Sequence, residues 1–262
     1  MIEQKTEQVP WTLQQTYIGI LFTLIPWLVF SILLSSGNSA LPSKPLSPAE
    51  DLAGAIITFI FATLVEATFL IAPFYFARHA YRRIMNALPT WSQALQTLGF
   101  RKAPLRQSVM LVSAFFVLIL LVNLGYSYLL TLLHQLAPSI NLQTNDVRVC
   151  AQSKIAPLTT DATLLVAFLV APLCEELFFR GFVFMGLLRG MSLTGAILFS
   201  ALIFGVAHAD VPSFLVLFII GLMLAYLRWK TRSIWPSITL HMLNNGSSAL
   251  LIFLASRGVI NC

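Results

Sequence analysis

Long apolar runs separated by short polar stretches dominate the chain. The runs fall roughly at 17–35, 53–77, 108–133, 162–188, 193–208, 212–229 and 234–255. All but the fifth reach the ~17–25 residues that a membrane-crossing helix needs. The fifth is short, so it is expected either to tilt into its neighbours or to have other bounds. An eighth helix would fit within the long second or fourth run. The pattern therefore predicts an all-α fold, a polytopic transmembrane helix bundle of about seven to eight spans.

The stretches between the runs differ in kind. Residues 91–107, W-S-Q-A-L-Q-T-L-G-F-R-K-A-P-L-R-Q, put a tryptophan and leucines on one side and a basic end on the other. That suits a short helix lying at the membrane surface and ending at Gly99, or a folded loop. Segments 36–50 and 134–160 are rich in Pro, Ser, Asn and Thr and read as loops. No internal repeat is evident. Residues 1–150 read as amino-terminal helices with the basic loop 78–107, and 151–262 as the core that carries the chemistry. Both are expected to form one integrated membrane domain.

Composition agrees with the pattern. Hydrophobic residues make up 58% of the 262 positions and charged residues only 10%, against about 25% charged in soluble domains. No room is left for a sizeable soluble domain. The net charge of +6 forms no stripe that would suit nucleic acid. It clusters between apolar runs, where it acts as a signal of sidedness. Loop 78–107 holds Arg78, Arg82, Arg83, Arg101, Lys102 and Arg106 and is expected in the cytoplasm. Alternation then splits the basic residues 11 to 4, with Arg180 inside the membrane, and puts the amino terminus in the cytoplasm. The first run has no small-residue cleavage site after it, so it is expected to remain as the first span of a cell-membrane protein.

Cys150, Cys174 and Cys262 contain no C-x-x-C spacing, which excludes a zinc knuckle or thioredoxin-like motif. Cys174 reads as core packing. Cys150 and Cys262 fall on the same predicted side, where an oxidising compartment would allow a disulfide.

Against this apolar background three polar constellations stand out. Glu175, Glu176 and Arg180 share the run E-E-L-F-F-R. Each charge costs roughly 2.5–3.5 kcal/mol at the bilayer centre, so such residues pair internally or do chemistry. At about 100° per residue, Glu176 and Arg180 lie on one helix face at i,i+4, with the glutamate on the favoured amino-terminal side. Glu175 points away from both. The geometry makes Glu176–Arg180 an internal brace and leaves Glu175 free. Phe204-Gly205-Val206-Ala207-His208 puts a ring and an imidazole on one face, and His241 and Asn245 do the same in the last run. Glu66 is a further charge within a run and a candidate for the same cavity.

These groups suffice for hydrolysis. A carboxylate takes a proton from water, and a histidine positions that water or a metal holding it. A second histidine and an amide would stabilise an oxyanion. Other routes lack their residues: no H-E-x-x-H, G-x-S-x-G, G-x-S-G or G-x-G-D occurs. Asp51, Asp146, Asp161 and Asp210 all fall at run ends, which argues against an intramembrane aspartyl pair. Competing readings are a non-proteolytic bacteriocin self-immunity or scaffold protein, and a small transporter using Glu66 and Glu175 as proton sites. The lack of repeats counts against the transporter.

The three constellations resemble the motifs E-E-x-x-x-R, F-x-x-x-H and H-x-x-x-N/B of the CAAX-protease and bacteriocin-processing (CPBP, or Abi) family of intramembrane proteases. They occur in order, on separate helices, across residues 160–255. The L-G-F-R at 98–101 resembles a weaker feature of bacterial members. The resemblance implies an integral membrane endopeptidase acting on membrane-associated or prenylated-type protein or peptide substrates in the lipid bilayer. It implies that Glu175 activates water together with His208, that Glu176 and Arg180 support them, and that His241 and Asn245 stabilise the oxyanion or help hold a metal. Glu175, His208 and His241 would suit Zn2+ with one position open, and they suit a metal-free glutamate mechanism equally well. For His241 to reach the depth of the other two, the chain is expected to enter its helix extended through Ile234-Trp235-Pro236.

Overall fold

The structure, a computed structural model, describes residues 9–36, 44–140 and 142–261. Helices account for almost all of it, and the described residues contain no strand. Six helical stretches are long and apolar enough to cross a membrane, with Leu193–Ala207 as a shorter apolar helix among them. The chain is an integral membrane protein built as a helical bundle.

Helix α1 spans Leu13–Ser36. The second crossing joins α2, Pro48–Ala67, through a 3-10 turn at Thr68–Leu70 to α3, Ile71–Met85. The short α4, Trp91–Thr97, precedes the long α5, Leu105–Leu136. Helix α6 covers Asn145–Ser153. The fourth crossing is continuous but varies in pitch. It runs from α7, Pro157–Leu165, through a π-helical turn at Val166–Val170 to α8, Ala171–Glu176, then through a second π-helical turn at Leu177–Val183 to α9, Phe184–Leu187. Helix α10 is Leu193–Ala207, α11 is Phe214–Thr231 and α12 is Trp235–Ser256.

The fourth crossing is the axis of the bundle, with every residue from Cys174 to Leu187 buried. By contrast α1 and α5 expose rows of large apolar side chains, such as Phe22, Ile25, Leu121 and Leu124, as helices facing lipid do.

One expected loop is partly helical. Segment 134–160 contains α6 and the start of α7. Its polar residues mark helix ends: Thr144 precedes α6, and Pro157 stands in the first turn of α7. Cys150 and Val149 of α6 pack with Leu164, Ile252 and Ala255, which gives that short helix an apolar seat. The disulfide considered for Cys150 and Cys262 falls on a residue outside the described set.

Helix α4 forms where a surface helix was expected. A reciprocal Thr90–Gln93 capping box starts it, and Arg78 of α3 lies 4.4 Å from the Trp91 ring centre. The segment after it turns inward. Gly99 has φ +103°, open to glycine without strain, and Leu98 is fully buried. The Gly99 carbonyl accepts from the Ile234 amide at 2.9 Å, and the Arg101 carbonyl from the Ser233 hydroxyl at 2.7 Å. A Cβ on Gly181 would stand 2.9 Å from the Leu98 carbonyl oxygen. The L-G-F-R segment thus wedges between the fourth crossing and the start of α12.

That wedge corrects the expected entry to α12. Ile234 has helical dihedrals, φ −81° and ψ −23°, and Pro236 lies in the first turn, so no extended segment leads in. The 98–101 segment, buried at Leu98 and Gly99, caps the helix start, where Ser233 and Ile234 are fully buried. His241 reaches the level of the other polar residues by that route.

Candidate active site

Glu175 and Glu176 end α8, between the two π-helical turns. Such turns admit an extra residue and rotate the side chains that follow, and they are common at functional sites. Glu176 and Arg180 are both fully buried and paired at 2.8 Å, as the i,i+4 spacing predicted. The guanidinium also donates to the Gly221 carbonyl at 3.3 Å. Gly221 allows that contact because α10 and α11 meet there almost backbone to backbone: a Cβ would come within 2.9 Å of the Ala201 Cα. The face of the guanidinium lies 4.2 Å from the centre of the Phe204 ring.

Phe204 does more than mark a motif. Its ring contacts the His208 ring at 4.6 Å and the His241 ring at 5.5 Å between centres, so one aromatic plate sets both imidazoles against Arg180. The F-x-x-x-H spacing pointed to its face; its contact with three charged or ionisable groups was not legible there.

His208 caps the end of α10, after which Ala209 takes φ +50° and the chain turns away. Ser192 starts that helix by accepting from the Gly195 amide. Trp27 of α1 donates its indole N–H to the Ala207 carbonyl at 2.8 Å, satisfying a carbonyl at the helix end. At 15 residues, or about 22 Å, α10 is shorter than the other apolar helices, and its last turn carries Phe204 and leads into His208.

The two imidazoles are oriented alike. His208 Nδ1 lies 2.7 Å from the Phe204 carbonyl oxygen, which can only accept, so Nδ1 carries the proton. His241 Nδ1 lies 2.9 Å from Glu176 Oε1 and likewise donates. Both Nε2 atoms then face the same carboxyl oxygen, Glu175 Oε2, at 3.8 Å from His208 and 3.9 Å from His241. That oxygen is buried and has no hydrogen-bond partner among the described residues. Three acceptors surround one point and call for a donor there. The space between them suits a water molecule that donates to two of them and keeps a lone pair free.

Asn245 is on the same face as His241 but is engaged elsewhere. Its amide donates to the Ala167 carbonyl at 2.9 Å, within the first π-helical turn, and its side-chain oxygen accepts from Asn244 at 3.0 Å. It ties α12 to the fourth crossing, and no contact joins it to Glu175 among the described residues. Glu66 lies within electrostatic reach of Glu175.

For zinc, the donor types and the anchored Nδ1 atoms are suitable. Among the described residues no group of three or more His, Cys, Asp and Glu side chains is gathered so as to hold a metal ion.

Comparison with known proteins falls on this part of the chain. Residues 157–247 match the family described as type II CAAX prenyl endopeptidase Rce1-like. The matched segment carries all three motifs, and the match supports the CPBP resemblance read from them. A Bacillus subtilis (strain 168) protein described as "Putative membrane peptidase YdiL" is 34% identical over 82 residues, covering 31% of this chain and 34% of that protein. The match thus spans about a third of the relative's length. No solved structure matches.

Proposed function

We propose that this protein is an intramembrane endopeptidase of the type II CAAX-protease kind. It cuts peptide bonds of membrane-associated, prenylated-type substrates with water activated at Glu175. The observation that carries this reading is the buried, unpartnered Glu175 Oε2 faced by two imidazole nitrogens at 3.8 and 3.9 Å.

Water held between Glu175 and His208 donates a hydrogen bond to each and turns a lone pair toward the substrate carbonyl. As the water oxygen bonds to the carbonyl carbon, its proton passes to Glu175, and from there to the leaving amine as the C–N bond breaks. His208 has the more accessible side chain, 26% exposed against 3% for His241, and so stands on the substrate side. Glu176 backs His241 as a carboxylate backs the imidazole of a catalytic triad. That fixes the tautomer and orientation of His241, with the proton on Nδ1 and Nε2 turned toward Glu175. Asn245 would join only by giving up its bond to Ala167.

No step here runs through a metal, since Glu175 itself serves as the base. The glutamate reading expects activity to survive exhaustive treatment with a zinc chelator. Loss on chelation with recovery on added zinc would replace it with a metalloprotease reading.

The decisive experiment uses purified full-length protein and a quenched fluorescent peptide ending in a farnesylated CAAX sequence, with an unmodified apolar peptide beside it. Glu175→Ala and His208→Ala should each lower turnover by about 10²–10⁴-fold while the melting temperature stays near wild type. Full activity in either variant sinks the proposal. Cleavage of the unmodified peptide alone would keep the chemistry and remove the preference for prenylated substrates.

A further inference from the structure

Glu66 carries a carboxyl group that none of the three motifs uses. It sits on α2, which packs along α7 and α8, and it lies within electrostatic reach of both Cys174 and Glu175. Its Oε2 is buried and lacks a hydrogen-bond partner among the described residues. So is the hydroxyl of Thr63, one turn earlier on the same helix face.

The backbone around Glu66 is held firmly. Immediately after it α2 tightens into the 3-10 turn at Thr68–Leu70. The Phe69 ring there packs on Trp27, Phe178 and Phe179. Phe178 and Phe179 belong to the E-E-L-F-F-R run, so this aromatic layer joins the end of α2 to the segment that carries Glu175. A purely structural position in this setting would be better filled by leucine, since a buried carboxyl without a partner is destabilising. Unpaired polar groups held in rigid surroundings are typical of places where a ligand completes the bonding.

We propose that Glu66 is a substrate-positioning residue of the hydrolytic site, its carboxyl group hydrogen-bonding the backbone of the peptide being cut. Glu175 is the carboxyl group flanked by the two imidazoles. Glu66 therefore serves as a hydrogen-bonding group and not as the base. Its O–H would donate to a backbone carbonyl of the bound peptide and hold the scissile bond over Glu175.

The inference rests on the proposed peptidase reading and is tested beside it. Full-length Glu66→Leu and Glu66→Gln in nanodiscs are assayed on the farnesylated peptide, together with wild type and Glu175→Ala. Glu66→Leu should lower kcat/KM about ten- to hundredfold, as loss of a substrate hydrogen bond does, and should melt no lower than wild type. Glu66→Gln keeps a donor of similar reach and should stay within about threefold of wild type. Unchanged kcat/KM in Glu66→Leu overturns the proposal. So does a fall in melting temperature that tracks the activity loss in both variants, or a Gln variant as impaired as the Leu variant. If wild type itself cleaves no better than Glu175→Ala, the peptidase reading fails first and the role of Glu66 falls with it.

Discussion

Arg180 and Glu176 show how charge is tolerated inside an apolar bundle. Neither side chain is exposed, yet the guanidinium has a carboxylate, a backbone carbonyl and an aromatic face around it. Removing one partner of such a pair leaves an unbalanced buried charge and costs about 3–5 kcal/mol. Arg180→Leu is therefore expected to unfold well below wild type in a thermal melt, whatever its activity. Glu176→Gln is a gentler change. It keeps the shape but weakens the hold on His241, so turnover should fall by about 10²–10⁴-fold with a smaller loss of stability. Equal losses of stability in Glu176→Gln and Arg180→Leu, with turnover following stability, would show that Glu176 only braces. The Glu176–Arg180 pair was legible from helix spacing alone. The share of His241 in Glu176 was not, because it joins residues 65 positions apart.

At the scale of elements, small residues decide how closely the helices approach. Gly221 lets α11 press on Ala201 of α10 while offering its carbonyl to Arg180. Gly221→Ala puts a methyl group against backbone, which cannot swing aside, and is expected to cost about 1–3 kcal/mol. Activity should decline with it, because Arg180 loses its seat. An unchanged melting temperature would mean that the two helices separate without cost. Gly181 plays the same part against the Leu98 carbonyl, and Gly99 turns the wedge with a backbone angle that a side chain would strain. Asp51 adds a tie at the opposite end. Its carboxylate accepts from the amides of Leu158 and Thr159 at 2.8 and 2.9 Å, capping α7 from a neighbouring helix. That tie explains a charged residue at a run end better than loop solvation does. The π-helical turns on either side of α8 left no mark in the residue pattern, since their backbone pitch depends on packing from all sides.

For the whole molecule, the basic residues and the site define opposite demands. The connection 78–107 carries the strongest positive cluster, and its α4 lies against Arg78 and Phe74 through Trp91. We propose from the positive-inside rule that this end of the bundle is cytoplasmic. A cysteine introduced at exposed Ser92 should then react with a membrane-impermeant maleimide only after the cells are opened. Labelling of intact cells would invert the topology. The same end holds the wedge of Leu98–Arg101, so the sidedness of the molecule and the seating of His241 depend on one segment.

Hydropathy by itself determined the all-helical class and the positions of the crossings, because bilayer thickness imposes a length that any apolar run must meet. Helix periodicity determined that Glu176 pairs with Arg180 and that Glu175 is left over, since i,i+4 neighbours need no tertiary information. Only the tertiary structure decided that both imidazoles turn Nε2 toward one carboxyl oxygen, that Phe204 spaces them, and that Asn245 serves Ala167. It also decided that the Gly99 and Arg101 carbonyls hold the start of α12. Local sequence specifies which face a residue shares with its neighbours along one helix. Which carbonyl, ring or carboxylate stands opposite that face depends on how separate helices are packed, and no periodicity within one of them encodes it.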